Sequence, residues 1–213
     1  MKHIVFLEAR GPAAQLHACL LAGFPSRMRG ITALAVNLVQ GADPGTPWHA
    51  VLELWGDQTL AQSPWEDAEI DRRVARRAVY RVTELVEKDV GPARRWPTAG
   101  PKLIVPWIGR RELTPAEQRR HWDEHVPLAN RIHVGCTRYV RNWVEASAPN
   151  LTATTPPYQG IAIQHFLTEE DLRERSFDSP ASVQVIQDDV AEFIAEYMAL
   201  QTVEYFSATE RAT

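Results

Sequence analysis

The sequence is poor in cysteine and in long apolar runs, and each shortage argues against a class of protein. Only Cys19 and Cys136 occur among the 213 residues, without a C-x-x-C pair, which argues against a disulfide scaffold, a zinc ribbon and a redox pair. Such isolated cysteines favour a reduced, cytoplasmic protein. No stretch approaches the roughly twenty apolar residues of a membrane span, and the apolar start of the chain ends at Glu8 and Arg10, too early for the core of a signal peptide. We therefore expect no role at a membrane.

Positive charge is not in excess either. The 23 lysine and arginine residues face 27 aspartate and glutamate residues, which gives a formal net charge of −4. Such a field repels polyphosphates, so we expect no nucleic acid partner. A basic run at residues 72–77 follows an acidic run at residues 66–71 at helical spacing, which predicts a solvated helix face with i,i+4 ion pairs.

Motifs that bind nucleotides or activate a serine are also missing. The chain has no glycine-rich phosphate loop and no Gly-x-Ser-x-Gly turn, which disfavours nucleotide cofactors and serine hydrolysis. With 45% hydrophobic residues it can still bury a sizeable core. What remains is chemistry that an apolar cavity and one or two proton carriers perform, namely dehydration, cyclisation, isomerisation or addition–elimination on an activated carbonyl compound.

Strand-like and helix-like segments follow the same order in both halves of the chain. In the first half the hydrophobic pattern predicts strand, helix, two strands, helix and strand at residues 4–9, 13–22, 31–40, 49–55, 66–77 and 79–86. In the second half the same order is predicted at residues 103–108, 114–122, 136–144, 160–167, 179–195 and 199–206. Both halves therefore have the order βαββαβ, which is the ferredoxin-like plan.

This order predicts an α+β fold of two fused ferredoxin-like repeats, residues 1–90 and 102–213, joined by the proline- and glycine-rich linker 91–101. An antiparallel sheet with both helices on one face leaves its other face uncovered. Two such sheets packed sheet to sheet cover each other, which gives a barrel-like body whose internal symmetry imitates a dimer.

The second half also carries a motif in a specific order. A strand within residues 102–110 precedes the helix start Leu113-Thr114-Pro115-Ala116-Glu117, and the motif continues with Trp122, His125, Pro127, Leu128, Tyr139 and Asn142. With these residues, and with residues 158–162 and 188–193 further on, the segment from about 102 to 206 resembles the EthD family of the dimeric α/β-barrel superfamily.

The resemblance implies a dimeric α/β-barrel within one chain, an intrachain pseudo-dimer able to pair further as a homodimer. It also implies a cofactor-independent enzyme of lyase, isomerase or cyclase type, acting on a hydrophobic, aromatic or polyketide-like small molecule. Relatives in the superfamily are similar to polyketide cyclases, lactone isomerases, aldoxime dehydratases and quinone-forming oxygenases. The first helix, at residues 13–19, has no His-x-Pro-Leu, which implies one site per chain, in the second half.

His125 is the foremost candidate for chemistry, since an imidazole titrates near neutral pH. We expect the nearby Pro127 to end or bend the helix and let the ring point into a cleft. The alternative is a histidine that fixes the helix end through a backbone carbonyl. Tyr139 is the second catalytic candidate, as a donor to a developing oxyanion, or else it is a half-buried strand tyrosine.

His121 and His125 also fit the H-x-x-E-H pattern of certain zinc proteases. Pro127 disturbs the turn that would set the ligand geometry, and the βαββαβ order differs from the mostly helical body of such proteases. We therefore expect no metal, and His121 joins the substrate-binding candidates.

Five further residues around the motif are candidates for substrate binding: Trp107, Trp122, Asn142, Trp143 and His165. Core packing explains the tryptophans equally well, and a lone strand histidine often serves packing. Strand alternation places Tyr139, Arg141 and Trp143 on one face of their strand and Asn142 on the other. His133 is expected in a turn that faces water.

Two alternatives stay open. Some members of the superfamily bind haem through a histidine, which would make His125 or His165 an axial ligand. The other alternative is a non-catalytic carrier or accessory protein that protects a reactive metabolite.

Overall fold

Antiparallel strands form a closed barrel in the computed structural model, which describes residues 1–22, 31–41, 45–56, 68–91, 98–147 and 156–209. The strands are β1 (Lys2–Ala9), β2 (Ile31–Val39), β3 (Ala50–Gly56), β4 (Val74–Asp89), β5 (Pro101–Gly109), β6 (Cys136–Ser147), β7 (Gly160–Phe166), β8 (Ile194–Tyr197) and β9 (Leu200–Thr209). The helices are α1 (Ala13–Leu21), α2 (Ala68–Arg73), α3 (Pro115–Ile132), α4 (Glu169–Glu174) and α5 (Pro180–Ala191).

Eight of these strands close the barrel in the order β7-β6-β4-β1-β3-β2-β9-β5, with β5 pairing back to β7. The ninth strand, β8, pairs with β5 outside this ring. The two halves of the chain meet at two hydrogen-bonded seams, β4 with β6 and β2 with β9. The α+β barrel expected from the sequence is confirmed, but its halves are joined edge to edge rather than only sheet to sheet. Closure in this way leaves no exposed edge in the ring.

The inner face of the barrel is apolar towards one end. Side chains from both halves pack there into one cluster, which includes Phe6, Trp48, Tyr80, Ile104 and Tyr158. The Trp48 indole donates a hydrogen bond to the Tyr158 hydroxyl at 3.1 Å, and the Tyr80 hydroxyl donates one to a backbone carbonyl at 2.7 Å. The polar ends of these large side chains are therefore satisfied inside the barrel.

The inner face also holds a chain of alternating charges, buried except at Glu84, which is partly exposed. It runs from Glu204 to Lys102, Glu53, Lys2 and Glu84, one residue from each of five strands. The Lys102 ammonium lies 3.3 Å from a Glu53 oxygen, and the Lys2 ammonium lies 2.8 Å from the other. Burial opposes ionisation of Glu53, but the two ammonium groups outweigh it and hold the pKa of this carboxyl well below its usual value.

The second helix of the first half is shorter than predicted. It ends at Arg73, and β4 starts at Val74, so Arg76 and Arg77 belong to a strand and not to a helix face. Arg76 pairs with Glu8 of β1 at 2.7 Å, because β4 runs antiparallel beside β1. The predicted start of this helix, at residues 66–67, lies outside the described residues.

Helix α3 starts where the sequence predicts and continues further. Thr114 and Glu117 form a capping box at its N-terminus. The helix runs through Pro127 to Ile132, so the expectation that it ends at the proline was wrong. The proline lacks the N–H that would bond to the carbonyl of Asp123, a residue on the exposed side of the helix.

The end of the chain differs from the prediction at two places. Helix α5 ends at Ala191, and residues 194–195, predicted as its end, belong to β8 along β5. The short helix α4 was not predicted, although Thr168 caps it by accepting from the Asp171 amide, which is an ordinary sequence signal for a helix start. No helix in the described part of the chain combines the length and the apolar character needed to cross a bilayer.

We predict that Lys102→Met lowers the free energy of unfolding by about 3–5 kcal/mol, because the buried Glu204 loses its ion-pair partner and Glu53 keeps only Lys2. The matched control is Arg120→Met, because the Arg120 side chain is 62% exposed and its ion pair with Glu124 is long, at 3.9 Å. This substitution should lower the free energy of unfolding by at most about 1 kcal/mol. Urea unfolding of the two variants measures both values. Equal losses would show that the buried charges are not an interdependent chain.

Candidate functional site

A cavity of about 190 Å³ lies outside the barrel, between the outer face of β5, β6 and β7 and the helices α3 and α5. Its lining residues are Val105, Trp107, Trp122, His125, His133, Tyr139, Ala162, Gln164, Phe177, Ile186, Gln187, Val190, Phe193, Ile194 and Tyr197. Most of them are apolar or aromatic, and none is a lysine or an arginine. The cavity therefore suits a neutral, hydrophobic ligand.

His125 and Asp189 form a hydrogen-bonded pair at the wall of this cavity. His125 projects from α3 and Asp189 from α5, and the imidazole Nδ1 lies 2.5 Å from the Asp189 Oδ2. Since a carboxylate only accepts, Nδ1 carries the proton and Nε2 keeps its lone pair. Burial lowers the pKa of His125, and the hydrogen bond and charge of Asp189 oppose this shift without reversing it. At neutral pH the ring is an unprotonated base held in one tautomer.

Tyr139, which lines the same cavity, is anchored by a tryptophan. Its hydroxyl accepts a hydrogen bond from the Trp122 indole at 2.9 Å, and the residue is only 3% exposed. Burial raises the pKa of Tyr139 well above its usual value, so the hydroxyl keeps its proton. No other described residue accepts that proton in a hydrogen bond, which leaves it available to an oxygen atom in the cavity.

The aromatic wall of the cavity is a packed cluster of Trp107, Trp122, Trp143 and Phe193. Trp107 meets the other three rings edge to face, with centroids 5.1 to 5.7 Å apart. Gly160 makes room for this arrangement, because a Cβ there would lie 2.5 Å from the Trp107 indole. Trp143 lies behind the wall and does not line the cavity, so it supports the site through packing.

Three predicted binding residues lie elsewhere. His121 lies outside the cavity, with its Nδ1 3.7 Å from Glu192. Asn142 faces the barrel interior and donates to the Ile161 carbonyl at 3.1 Å. His165 lies on the face of β7 opposite Ala162 and Gln164, close enough to Glu53 to affect its pKa. Asn142 and His165 therefore belong to the barrel interior, as alternation along a strand requires.

His133 lies in the cavity wall, against the expectation that it faces water. It is 9% exposed, and its Nδ1 lies 2.5 Å from the Ser176 carbonyl oxygen. Burial lowers its pKa, with the bond to Ser176 opposing the shift. The prediction was wrong because α3 continues past Pro127, which places His133 at its C-terminus under the loop that carries Ser176.

Asp189 was not among the functional residues predicted from the sequence. The signal lay in the periodicity of α5, where Ile186, Val190 and Phe193 mark the face that packs on the sheet. Asp189 borders that face, so its carboxylate reaches the partner helix. What the sequence could not supply is the distance between α3 and α5, which tertiary packing sets.

The corresponding space in the first half is filled. Aliphatic side chains from α1, α2 and the first four strands pack there into one buried cluster, which includes Leu7, Leu16, Leu20, Leu52 and Ile70. A larger groove of about 580 Å³ does lie near Trp48 and His49. The His49 Nδ1 accepts from the Ala9 amide at 3.1 Å, and the groove's described lining contains no carboxylate. It therefore lacks the paired acid and base of the His125 cavity.

Neither a zinc site nor a haem site fits the residues and the size of the His125 cavity. Within the described ranges, no three histidine, cysteine, aspartate or glutamate side chains converge as a metal site. The volume of about 190 Å³ is below the roughly 300–1,000 Å³ of pockets for drug-sized ligands, and haem is a large ligand. His165, the second proposed haem ligand, faces the other side of the sheet.

Comparison with known proteins gives one family match and several similar folds. Residues 110–196 match the model of the EthD domain. A crystal structure of an anthrone oxidase-like protein superposes with a TM-score of 0.67 and 11% identity, covering 98% of this chain and 92% of that one. The structure of a "putative monooxygenase" from Lactobacillus acidophilus NCFM superposes with a TM-score of 0.54 and 8% identity, covering 98% of this chain and 95% of that one. The structure of a "putative monooxygenase" from Fusobacterium nucleatum superposes with a TM-score of 0.57 and 8% identity, covering 98% of this chain and 94% of that one.

Comparison with curated protein sequences gave no match. At these low identities the three structures show a shared fold and nothing finer. The segment that matches the EthD domain contains His125, Tyr139, His133 and Asp189, and so spans the polar side of the cavity. The chain thus has the barrel fold of these structures, and residues 110–196 within it match the EthD domain.

Proposed function

We propose that the protein is an enzyme that transforms a hydrophobic or aromatic small molecule by acid/base chemistry at His125, as a dehydratase, cyclase, isomerase or lyase. The observation that supports this most is the His125–Asp189 pair, with Nδ1 2.5 Å from the carboxylate, at the wall of an apolar cavity. An oriented, unprotonated imidazole in an apolar space is a competent general base.

In the proposed mechanism the substrate lies against the aromatic wall formed by Trp107, Trp122 and Phe193. The His125 Nε2 takes a proton from a carbon next to an electron-withdrawing group. Asp189 holds the ring in the required tautomer and stabilises the imidazolium that forms. The Tyr139 hydroxyl donates a hydrogen bond to the substrate oxygen on which negative charge develops. The imidazolium then returns its proton to the product or to the leaving group.

The comparisons support this proposal at the level of the fold. The names anthrone oxidase-like and monooxygenase belong to the similar structures, and they favour a small-molecule-modifying enzyme here as well. The chemistry proposed for this chain needs no group beyond its own side chains.

We also propose that the barrel arose from two fused ferredoxin-like repeats. The strands of the first half lie in the order β4-β1-β3-β2 and those of the second half in the order β9-β5-β7-β6. In both halves the first strand therefore lies between the third and the last, as in the ferredoxin-like plan. On this view the first repeat kept its strands and filled its helix layer with aliphatic side chains.

We predict that the wild-type protein accelerates the ring opening of 5-nitrobenzisoxazole, a neutral fused-ring probe. A base removes its ring C–H proton, the C–H electron pair forms the nitrile as the N–O bond breaks, and a coloured phenolate is released. His125→Ala should lower kcat by about a hundredfold or more, the usual contribution of a general base. Circular dichroism checks the fold of the variant. An unchanged rate would remove His125 from the mechanism, and binding without turnover in both proteins would favour a carrier.

Asp189→Asn should lower the same kcat by about a hundredfold or more, because an amide can donate to Nδ1 and leave the proton on Nε2, the wrong tautomer for a base. The neighbouring Asp188 is the matched control. Its carboxylate accepts from Gln184 within α5 at 2.7 Å, so Asp188→Asn should leave kcat within about twofold. If both substitutions lowered kcat equally, the result would contradict a specific role of the His125–Asp189 hydrogen bond.

The rate of proton abstraction should also fall as the pH is lowered. His125 acts only when neutral, and burial lowers its pKa from the ordinary value of 6.5 despite Asp189, with Arg141 adding to the lowering. The value of kcat for the probe should therefore be level at pH 7 and above, and decline with a midpoint below pH 6.5. A pH profile of wild type measures this, and a midpoint above 6.5 would contradict the neutral, buried base.

A further inference from the structure

His133 is a second imidazole in the wall of the same cavity, and proton abstraction leaves it without a role. Its Nδ1 lies 2.5 Å from the Ser176 carbonyl, and its ring packs against Phe177 with centroids 5.2 Å apart. Since a carbonyl oxygen only accepts, Nδ1 must carry the proton. The ring is therefore held in one orientation with a lone pair on Nε2.

That lone pair has no donor in the part of the chain that the structure describes. The residue is nine-tenths buried, and the neighbouring Lys88 donates to the His133 backbone carbonyl at 3.0 Å rather than to the ring. Because the His133 ring lines the cavity, its Nε2 can accept a hydrogen bond from a donor on a ligand bound there.

The chemistry of that ligand follows from the rest of the lining. No lysine or arginine lines the cavity, and Asp189 places a negative charge beside it, so a carboxylate or phosphate ligand would have no partner. A neutral hydroxyl group can donate to an imidazole nitrogen. An apolar cavity of about 150 Å³ holds benzene, so a cavity of about 190 Å³ has room for one substituted ring or a small fused pair.

We propose that His133 binds a hydroxyl group of the substrate through Nε2, and that the substrate is a neutral, hydroxylated aromatic compound of one or two rings. His133 is then the residue that selects the substrate, while His125 moves the proton. The inference rests on the proposed function for the second of these roles only.

Phenol and anisole provide the test, because the second differs from the first by a methyl group on the oxygen that removes the donor. Isothermal titration calorimetry at pH 7.5 measures both dissociation constants, with phenol neutral because a phenolic hydroxyl has a pKa of about 10. Wild type should bind phenol about tenfold or more tightly than anisole, the size expected for one buried hydrogen bond. Equal affinities, or no binding of phenol, would overturn the proposal.

Substitutions of single histidines test whether the His133 ring causes the preference for phenol over anisole. His133→Phe keeps the aromatic surface and removes the acceptor, so the ratio of the two dissociation constants should fall to about one. His121→Phe is the matched control, because this histidine of α3 lies outside the cavity, and it should keep the wild-type ratio. If the preference persists in His133→Phe, or disappears only in His125→Phe, the hydroxyl is bound elsewhere and the proposal is wrong.

A measurement on wild type replaces the variant if His133→Phe does not fold. The ¹⁵N chemical shift of the His133 Nε2 should move on addition of phenol and stay unchanged with anisole. An unmoved signal under saturating phenol would contradict the proposal.

The outcome is separable from that of the proposed function, because the binding test contains no catalytic step. A wild type that prefers phenol but does not open 5-nitrobenzisoxazole contradicts only proton abstraction by His125. A wild type that opens the probe but does not distinguish phenol from anisole contradicts only hydroxyl recognition by His133.

Discussion

Alternation along the strands of a closed barrel is the constraint on which the site depends. Each strand has one face towards the interior and one towards the helices, and no side chain can serve both. Tyr139 and Trp122 meet on the helix side, whereas Asn142 bonds to Ile161 on the inner side. The same rule separates Gln164, in the cavity wall, from His165 beside it in the sequence.

This constraint also explains why the cavity is outside the ring and not within it. The interior is occupied by an aromatic and aliphatic cluster towards one end and by alternating lysine and glutamate side chains along the rest. Those charges are tolerated because each is paired, and their pairing ties together strands from both halves. In the helix layers, the first half is filled with aliphatic residues while the second half uses large flat rings, which pack with a gap between them and α5.

Much of the fold was predictable from local signals. The proline and capping residues at Thr114 and Ser179 marked helix starts that the structure confirms, and the alternation along β6 placed Tyr139, Trp143 and Asn142 on the correct faces. Local signals failed where pairing with a distant strand overrides them, as at Arg76 in β4 and at residues 194–197 in β8. Of the residues that line the candidate cavity, His125, Tyr139, Trp107 and Trp122 were singled out from the sequence. Asp189 and His133 were not, because their roles come from contacts 64 and 43 residues away.

The base and its carboxylate are carried by different helices, and no turn of backbone fixes their separation. The position of α5 on the sheet decides whether the imidazole meets its carboxylate or is only a buried ring. A relative that keeps this histidine while its α5 is shifted by even one ångström would retain the pocket and lose the hydrogen bond on which the proposed reaction depends. In such barrels, binding proteins and enzymes can therefore diverge through the core packing of one helix, with every residue that touches the ligand unchanged.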